Sequence, residues 1–259
     1  MLAGISAPLM PTRILLISDI HGNYPALEAI AGELDPTAFD YVVNCGDSLV
    51  YAPFPNETLC WLTHHKAISI LGNTDKKVID ILKGQPFKKP RKQEKRVMYS
   101  STAEALGDAE RRALLTLGDS ETLVLDHPSG EDSPNNQLRL GIFHGSPADP
   151  DEFLFAETPD ERFQELAAQL GCRIVVTGHS HSPYHKFLAG IHFINPGSAG
   201  RMFDGDPRAS CAILETAGGN ITVQHHRIDY DIAKVIAEIR KQNLPEIYAT
   251  MFLQGKKLN

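Results

Sequence analysis

Seven residues spread along the chain have the right types to do metal chemistry together: Asp19, His21, Asp47, Asn73, His144, His179 and His181. Each is an oxygen or imidazole donor, and each stands where a run of apolar, largely branched residues stops. Taken singly, an aspartate after a strand reads as a helix cap, and a lone histidine as a hydrogen-bonded core or surface group. As a set they read as ligands. Donors of this kind, without thiolate, suit Mn, Fe, Zn, Co or Ni, with Mn the natural choice in vitro; the nitrogen content argues against Mg alone. Seven ligands exceed what one tetrahedral ion takes and suit two divalent ions, provided one carboxylate bridges them. Ions so bridged, about 3.5–4 Å apart, can clamp the attacking and leaving oxygens of a phosphoryl transfer.

The elements that must position these residues follow from the pattern. Residues 13–18 (RILLIS), Tyr41–Cys45 and Ala67–Leu71 are short continuous apolar runs, the mark of strands covered on both faces. They deliver Asp19-Ile20-His21, Gly46-Asp47 and Gly72-Asn73-Thr74-Asp75, and between them lie helical patterns starting at Asn23 and at Asn56, the latter a candidate cap. Strand and helix units with polar residues at each strand's C-terminal end predict parallel strands with helices outside, and ligands collect at that edge. Residues 84–101 break the pattern, with six basic residues between Lys88 and Arg96; they read as a solvated loop or as a lobe that steers phosphate. A helix is expected over 102–117. Strands over Glu121–Asp126 and Gln137–Phe143 then flank a turn-rich stretch (HPSGEDSPNN), and the second delivers His144. After a helix from Asp160 to Leu170, Cys172–Thr177 delivers Gly178-His179-Ser180-His181. Two hairpins follow, over 184–194 and 210–227, then helices over 230–254 interrupted at Pro245. The reading is α/β: two mixed β-sheets packed face to face with helices outside. We expect a single domain over 1–259, its core about 13–229 and a C-terminal helical extension at 230–259, which either covers one protomer's sheet or mediates a homodimer.

Composition narrows the function. The chain has 259 residues and a formal charge of −7, so its surface as a whole repels nucleic acid and anionic membranes. No interleaved basic and aromatic pattern suggests a nucleic-acid module. An anionic substrate needs a local positive feature; two divalent ions against two ligand carboxylates would leave about two net positive charges. Cys45, Cys60, Cys172 and Cys211 show no paired spacing and read as reduced core residues of a cytoplasmic protein. Residues 1–12 lack the features of a secretory signal, and no stretch approaches the ~20 apolar residues of a membrane span.

In order, Asp19-Ile20-His21, Gly46-Asp47, Gly72-Asn73-Thr74-Asp75, His144 and Gly178-His179-Ser180-His181 match D-x-H, G-D, G-N-x-D/E, H and G-H-x-H. By these motifs, over about residues 13–229, the chain resembles the calcineurin-like metallophosphoesterases. It is most similar to the small prokaryotic branch with H-G-N after the first acid (His21-Gly22-Asn23) and N-P-G-S late in the chain (Asn195-Pro196-Gly197-Ser198). The resemblance implies a two-sheet αββα sandwich and a two-metal site, with Asp19, His21 and His181 on one ion, Asn73, His144 and His179 on the other, and Asp47 bridging. It implies hydrolysis of a phosphate ester by an activated water, with Asp47, Asn73 and Asp75 as catalytic residues. Asp75 would either orient a histidine, as in the family, or cap the helix that follows.

One departure affects the substrate. Many family members carry histidine between Asn and Asp of G-N-x-D/E, a general acid for the leaving oxygen; this chain has Thr74. A threonine hydroxyl is too weak an acid near neutral pH, and losing such a donor costs ~10²–10⁴-fold for poor leaving groups. A phosphodiester or nucleotide substrate is therefore preferred. The alternatives are a phosphomonoesterase or protein phosphatase, and a metal-binding scaffold without catalysis. Arg201 is a candidate substrate contact, whereas Arg208 is expected to pair with Asp204 or Asp206. Tyr51 and Phe54 are candidate cleft walls, and His185 could supply an acid only if its strand folds back over the metals.

Overall fold

The computed structural model describes residues 11–87, 90–125 and 138–259. Lys88, Lys89, His127 and the turn-rich stretch at 127–136 lie outside the described residues. Two five-stranded sheets pack face to face with helices outside them. In the first, β1 (Thr12–Ile17), β2 (Tyr41–Asn44) and β3 (Ile68–Ser69) run parallel, and the hairpin of β9 (Ala209–Ala217) and β10 (Asn220–Ile228) pairs antiparallel to β1. In the second, β5 (Leu138–Phe143), β6 (Ile174–Val176) and β8 (Ile191–Asn195) run parallel, flanked by antiparallel β4 (Ser120–Leu125) and β7 (Tyr184–Leu188).

The continuous apolar run of β1 is explained by its two faces. Ile14 and Leu16 pack between the sheets with Val43, Ile142, Val176 and Leu214. Leu15 and Ile17 pack outward against helices. Each fully buried branched side chain contributes about 1.5–3 kcal/mol, so a polar residue on either face would be costly. Helix α1 (Tyr24–Leu34) starts where the Asn23 side chain accepts the Ala26 amide at 3.3 Å, with Pro25 in its first turn, and it buries Ala26, Leu27 and Ile30.

Several local expectations are corrected. Asn56 does not cap the next helix; it lies inside α2 (Pro55–His64), whose cap is Phe54. Residues 84–101 are not all loop: after α3 (Asn73–Leu82), helix α4 runs over Gln93–Ala105. Its dense charge hides a stripe of Met98, Tyr99, Thr102 and Ala103, which is buried. The single helix expected over 102–117 is split between α4 and α5 (Asp108–Leu115). The amide of Asn56 braces the break, donating to Ala105 O and accepting from Gly107 N, both at 2.8 Å. Cys60 is exposed and Cys172 half-buried, whereas Cys45 and Cys211 are core residues; all four are free thiols. The helix expected to Leu170 ends sooner, as α6 (Asp160–Ala167).

At the C-terminus, α7 (Ile232–Lys241) and α8 (Glu246–Gln254) bury Val235, Ile239, Tyr248, Met251 and Phe252 in the helix-side core of their own chain. No helix among the described residues is long and apolar enough to cross a membrane.

Candidate metal centre

The C-terminal ends of five parallel strands converge. From the first sheet β1 supplies Asp19 and His21, β2 supplies Asp47, and β3 leads to Asn73; from the second, β5 supplies His144 and β6 supplies His179 and His181. Asp19, His21, Asp47, His179 and His181 all have positive φ, between 51° and 62°. This left-handed backbone costs non-glycine residues about 1–3 kcal/mol each, and packing must sustain it. Hydrogen bonds between the strand ends do so: Asp19 N to Gly46 O (3.0 Å), His21 N to Asp47 O (2.9 Å) and Gly178 N to His144 O (2.8 Å). Close approach adds to the constraint, because a Cβ at Gly72 would collide with the Asp47 carboxylate.

The tautomers are set by the backbone. Nδ1 of His21, His144 and His181 faces the carbonyls of Leu49 (3.3 Å), Cys45 (2.8 Å) and Arg201 (2.5 Å). A carbonyl only accepts, so each ring donates from Nδ1 and leaves its Nε2 lone pair free. Two such lone pairs oppose each other, His21 Nε2 and His181 Nε2, at 3.2 Å. His181 Nε2 is 3.3 Å from Asp19 Oδ1, a fully buried oxygen without a hydrogen-bond partner, while Asp19 Oδ2 accepts from Ser18 Oγ and His179 N. On the other side His144 Nε2 lies 3.2 Å from both Asn73 Oδ1 and His179 Nδ1. Asp47 stands between the two groups, with Oδ2 3.8 Å from His21 Nε2 and Oδ1 3.5 Å from His144 Nε2. Facing lone pairs and an orphaned carboxylate oxygen are unfavourable among themselves and favourable around a cation, so the donor set fits divalent metal. Two trios, Asp19/His21/His181 and Asp19/Asp47/His144, have donor atoms close enough to share an ion.

The electrostatics of His21, Asp19 and His179 agree, whereas at His144 burial is outweighed by Asp47 and Asp19, which raise it. Burial pushes His21 down to about 3, against the pull of Asp47, so its ring is neutral and free to ligate. Burial would raise Asp19, but the neighbouring His181, His144 and His21 hold its carboxyl well below the usual range. Burial, then His144, lowers His179.

Asp75 takes the second of its two expected roles. Its carboxylate accepts the amides of Ser48 (3.1 Å), Leu49 (3.0 Å) and Gly72 (3.0 Å), capping α3 and fastening the loop after Asp47, and those hydrogen bonds replace the expected contact to a histidine. Burial, then the nearby Asp47, pushes it up to about 7. Thr74 N donates to Asp47 Oδ1 (2.8 Å) and Thr74 Oγ1 donates to Leu49 O (3.1 Å), the carbonyl that His21 also faces. His185 pairs with His192 at 2.9 Å on the β7–β8 hairpin and does not line the site. Arg208 pairs with Asp206 at 2.7 Å.

A cavity of about 480 Å³ opens over the cluster, and Arg201 and Tyr51 line it. Phe54 belongs to the core instead. The lining also includes Lys77, Arg91, Lys95, Tyr99, Phe153, Phe203 and Lys257, which sequence reasoning did not single out. Phe203 stacks on His181 (centroids 4.2 Å apart) and Phe153 on His179 (4.0 Å). Arg91 and Lys95 had a signal, their place in the basic stretch, whereas Phe153, Phe203 and Lys257 sit in segments without periodicity.

The comparisons with known proteins agree with this geometry. The family model for the calcineurin-like phosphoesterase superfamily domain matches residues 12–219. A metallophosphoesterase from Sphaerobacter thermophilus is 26% identical with a TM-score of 0.75, over 95% of this chain and 100% of that one. A hypothetical protein from Pyrococcus horikoshii OT3 shares the fold at a TM-score of 0.78 and 17% identity, over 95% and 99% of the two chains. An uncharacterized protein of Methanocaldococcus jannaschii is 27% identical over 266 residues, 96% of this chain and all of that protein. With its strand-end donors gathered under one cavity and the family model spanning both sheets, the chain belongs to the calcineurin-like phosphoesterase superfamily.

Proposed function

We propose that the protein is a two-metal phosphoesterase that prefers phosphodiesters or nucleotides to alkyl phosphomonoesters. The observation that carries the metal reading is the opposed lone pairs of His21 and His181, 3.2 Å apart beside the unpartnered Asp19 Oδ1. Asp19, His21 and His181 would hold one ion and Asn73, His144 and His179 the other, with one Asp47 oxygen turned toward each group. When bound, divalent ions (Mn, Fe, Zn, Co or Ni) supply charge neutralisation at the phosphoryl group and a more acidic water. The chain's own part is positioning: backbone carbonyls fix the imidazole tautomers, and Thr74 N orients Asp47.

The substrate preference rests on Thr74. Its hydroxyl is engaged with Leu49 O and holds its proton at neutral pH, so a leaving oxygen must depart without help from this position. The partner is a small phosphate ester or nucleotide, with no stable nucleic-acid or membrane partner. Four free thiols support a reducing, cytoplasmic setting.

Turnover of an aryl phosphodiester and the matching monoester with Mn tests the reading. Higher kcat/KM for the diester is expected. Clear preference for the monoester would overturn the diesterase assignment, and hydrolysis of neither with any of the five metals would overturn the enzymatic one.

A further inference from the structure

Beside the ligand cluster, the cavity wall carries positive charge that the metal reading does not use. Arg201 is buried at 6% exposure, its guanidinium 3.9 Å from the Tyr51 ring centroid, 5.0 Å from Phe203 and 5.6 Å from Tyr248. Its Nε is buried without a hydrogen-bond partner, and Nη2 has only the thioether of Met251 at 3.1 Å, a weak acceptor. Lys257 lies over the far side of the same wall, its Nζ 5.6 Å from the Phe203 centroid, and Lys95 reaches the cavity from α4. None of the ion pairs among the described residues includes Lys95, Arg201 or Lys257.

Lys95, Arg201 and Lys257 repel one another, and Glu94 offsets only part of this at Lys95. Burial, then Lys257 and Arg201, lowers Lys95, and burial, then Arg201, lowers Lys257. A desolvated cation without a counter-charge is expensive, and an anion entering the cavity removes the cost. On a chain of net charge −7 such a concentration is not a general surface property. Phe203 separates it from the metal ligands, stacking on His181 while both Arg201 and Lys257 sit on its ring. Arg201 and Lys257 therefore lie one aromatic ring away from the ligand His181, and Lys95 lines the same cavity.

We propose that Lys95, Arg201 and Lys257 form a second phosphate-binding subsite, so that the substrate carries a further phosphate beyond the one attacked. The subsite rests on the phosphoesterase reading for its place in catalysis, but its affinity for phosphate does not depend on that reading. The second phosphate can be the leaving group of a phosphoanhydride or a separate phosphate on the same molecule. The first source accords with Thr74, because a leaving phosphate is stable without protonation by a general acid.

Calorimetric titration of the full-length, EDTA-treated protein with tripolyphosphate and with orthophosphate tests the subsite directly. Tripolyphosphate should bind at least tenfold more tightly than orthophosphate, and K95Q/K257Q should remove at least tenfold of that affinity; K95Q and K257Q singly serve if the double variant is unfolded by circular dichroism. Equal affinity for the two anions, or tripolyphosphate binding untouched by these substitutions, overturns the proposal. In turnover with Mn, a nucleoside triphosphate and a sugar bisphosphate, each against its monophosphate, separate the two sources: the preferred one shows at least tenfold higher kcat/KM, and the advantage shrinks in K95Q/K257Q. No advantage for either overturns the catalytic role. A protein that hydrolyses no phosphate ester yet binds tripolyphosphate through these lysines would refute the enzymatic reading and support the subsite.

Discussion

In the proposed function, position 74 carries the substrate preference. The Thr74 backbone amide holds Asp47 Oδ1 at 2.8 Å, a contact that does not depend on which side chain stands there. The side chain alone decides whether a proton is available to the leaving oxygen. Thr74→His is therefore expected to raise kcat/KM for an alkyl monoester by about tenfold or more relative to an aryl diester, in steady-state assays with Mn. An unchanged ratio would mean that leaving-group protonation does not limit this site. Thr74 was readable from the motif as a departure. Its bond to Leu49 O was not, because that partner comes from a different strand-end loop.

Between residue and fold stands the tie from α3 to the loop after β2. Three backbone amides point at the Asp75 carboxylate, and that loop carries the Leu49 carbonyl that faces His21. Asp75→Asn replaces one acceptor oxygen with a donor, so at least one buried amide loses its partner. The expected loss is about 1–3 kcal/mol, measured as a fall in the urea midpoint. A midpoint within error of the parent would mean that the loop is held by its backbone bonds alone. The sequence permitted either of two roles for Asp75, since a spacing of two from Asn73 says nothing about what lies across the turn. The same limit explains Asn56, which looks like a helix cap in sequence and in the fold bridges α4 and α5.

For the whole molecule, the strand ends hold opposed lone pairs and left-handed backbone together, and metal should relieve that tension. At a concentration about a hundred times its dissociation constant, an ion that binds only the folded state stabilises by ~2.7 kcal/mol. That corresponds to roughly 5–10 °C in thermal midpoint for a chain of this size. Addition of Mn to EDTA-treated protein should show it in scanning calorimetry, and Asp47→Asn or Gly72→Ala should remove most of the shift. A full shift in both variants would place the metal away from Asp47.

The sequence alone determined the strands, the order of the ligand motifs and the polar residues at each strand's end. Those are consequences of backbone periodicity and of burial on both faces, which act within a few residues. It also indicated two sheets. Only the tertiary structure decided that the last hairpin joins the first sheet beside β1, because pairing partners far apart in sequence leave no local mark. Likewise only packing brought His21 within 3.2 Å of His181, 160 residues away, and set Lys95 and Lys257 beside Arg201 at the cavity wall. The donor types were written in the chain, but the lone pairs that oppose each other, and the cations gathered at the cavity wall without an ion pair among the described residues, exist only in the folded chain.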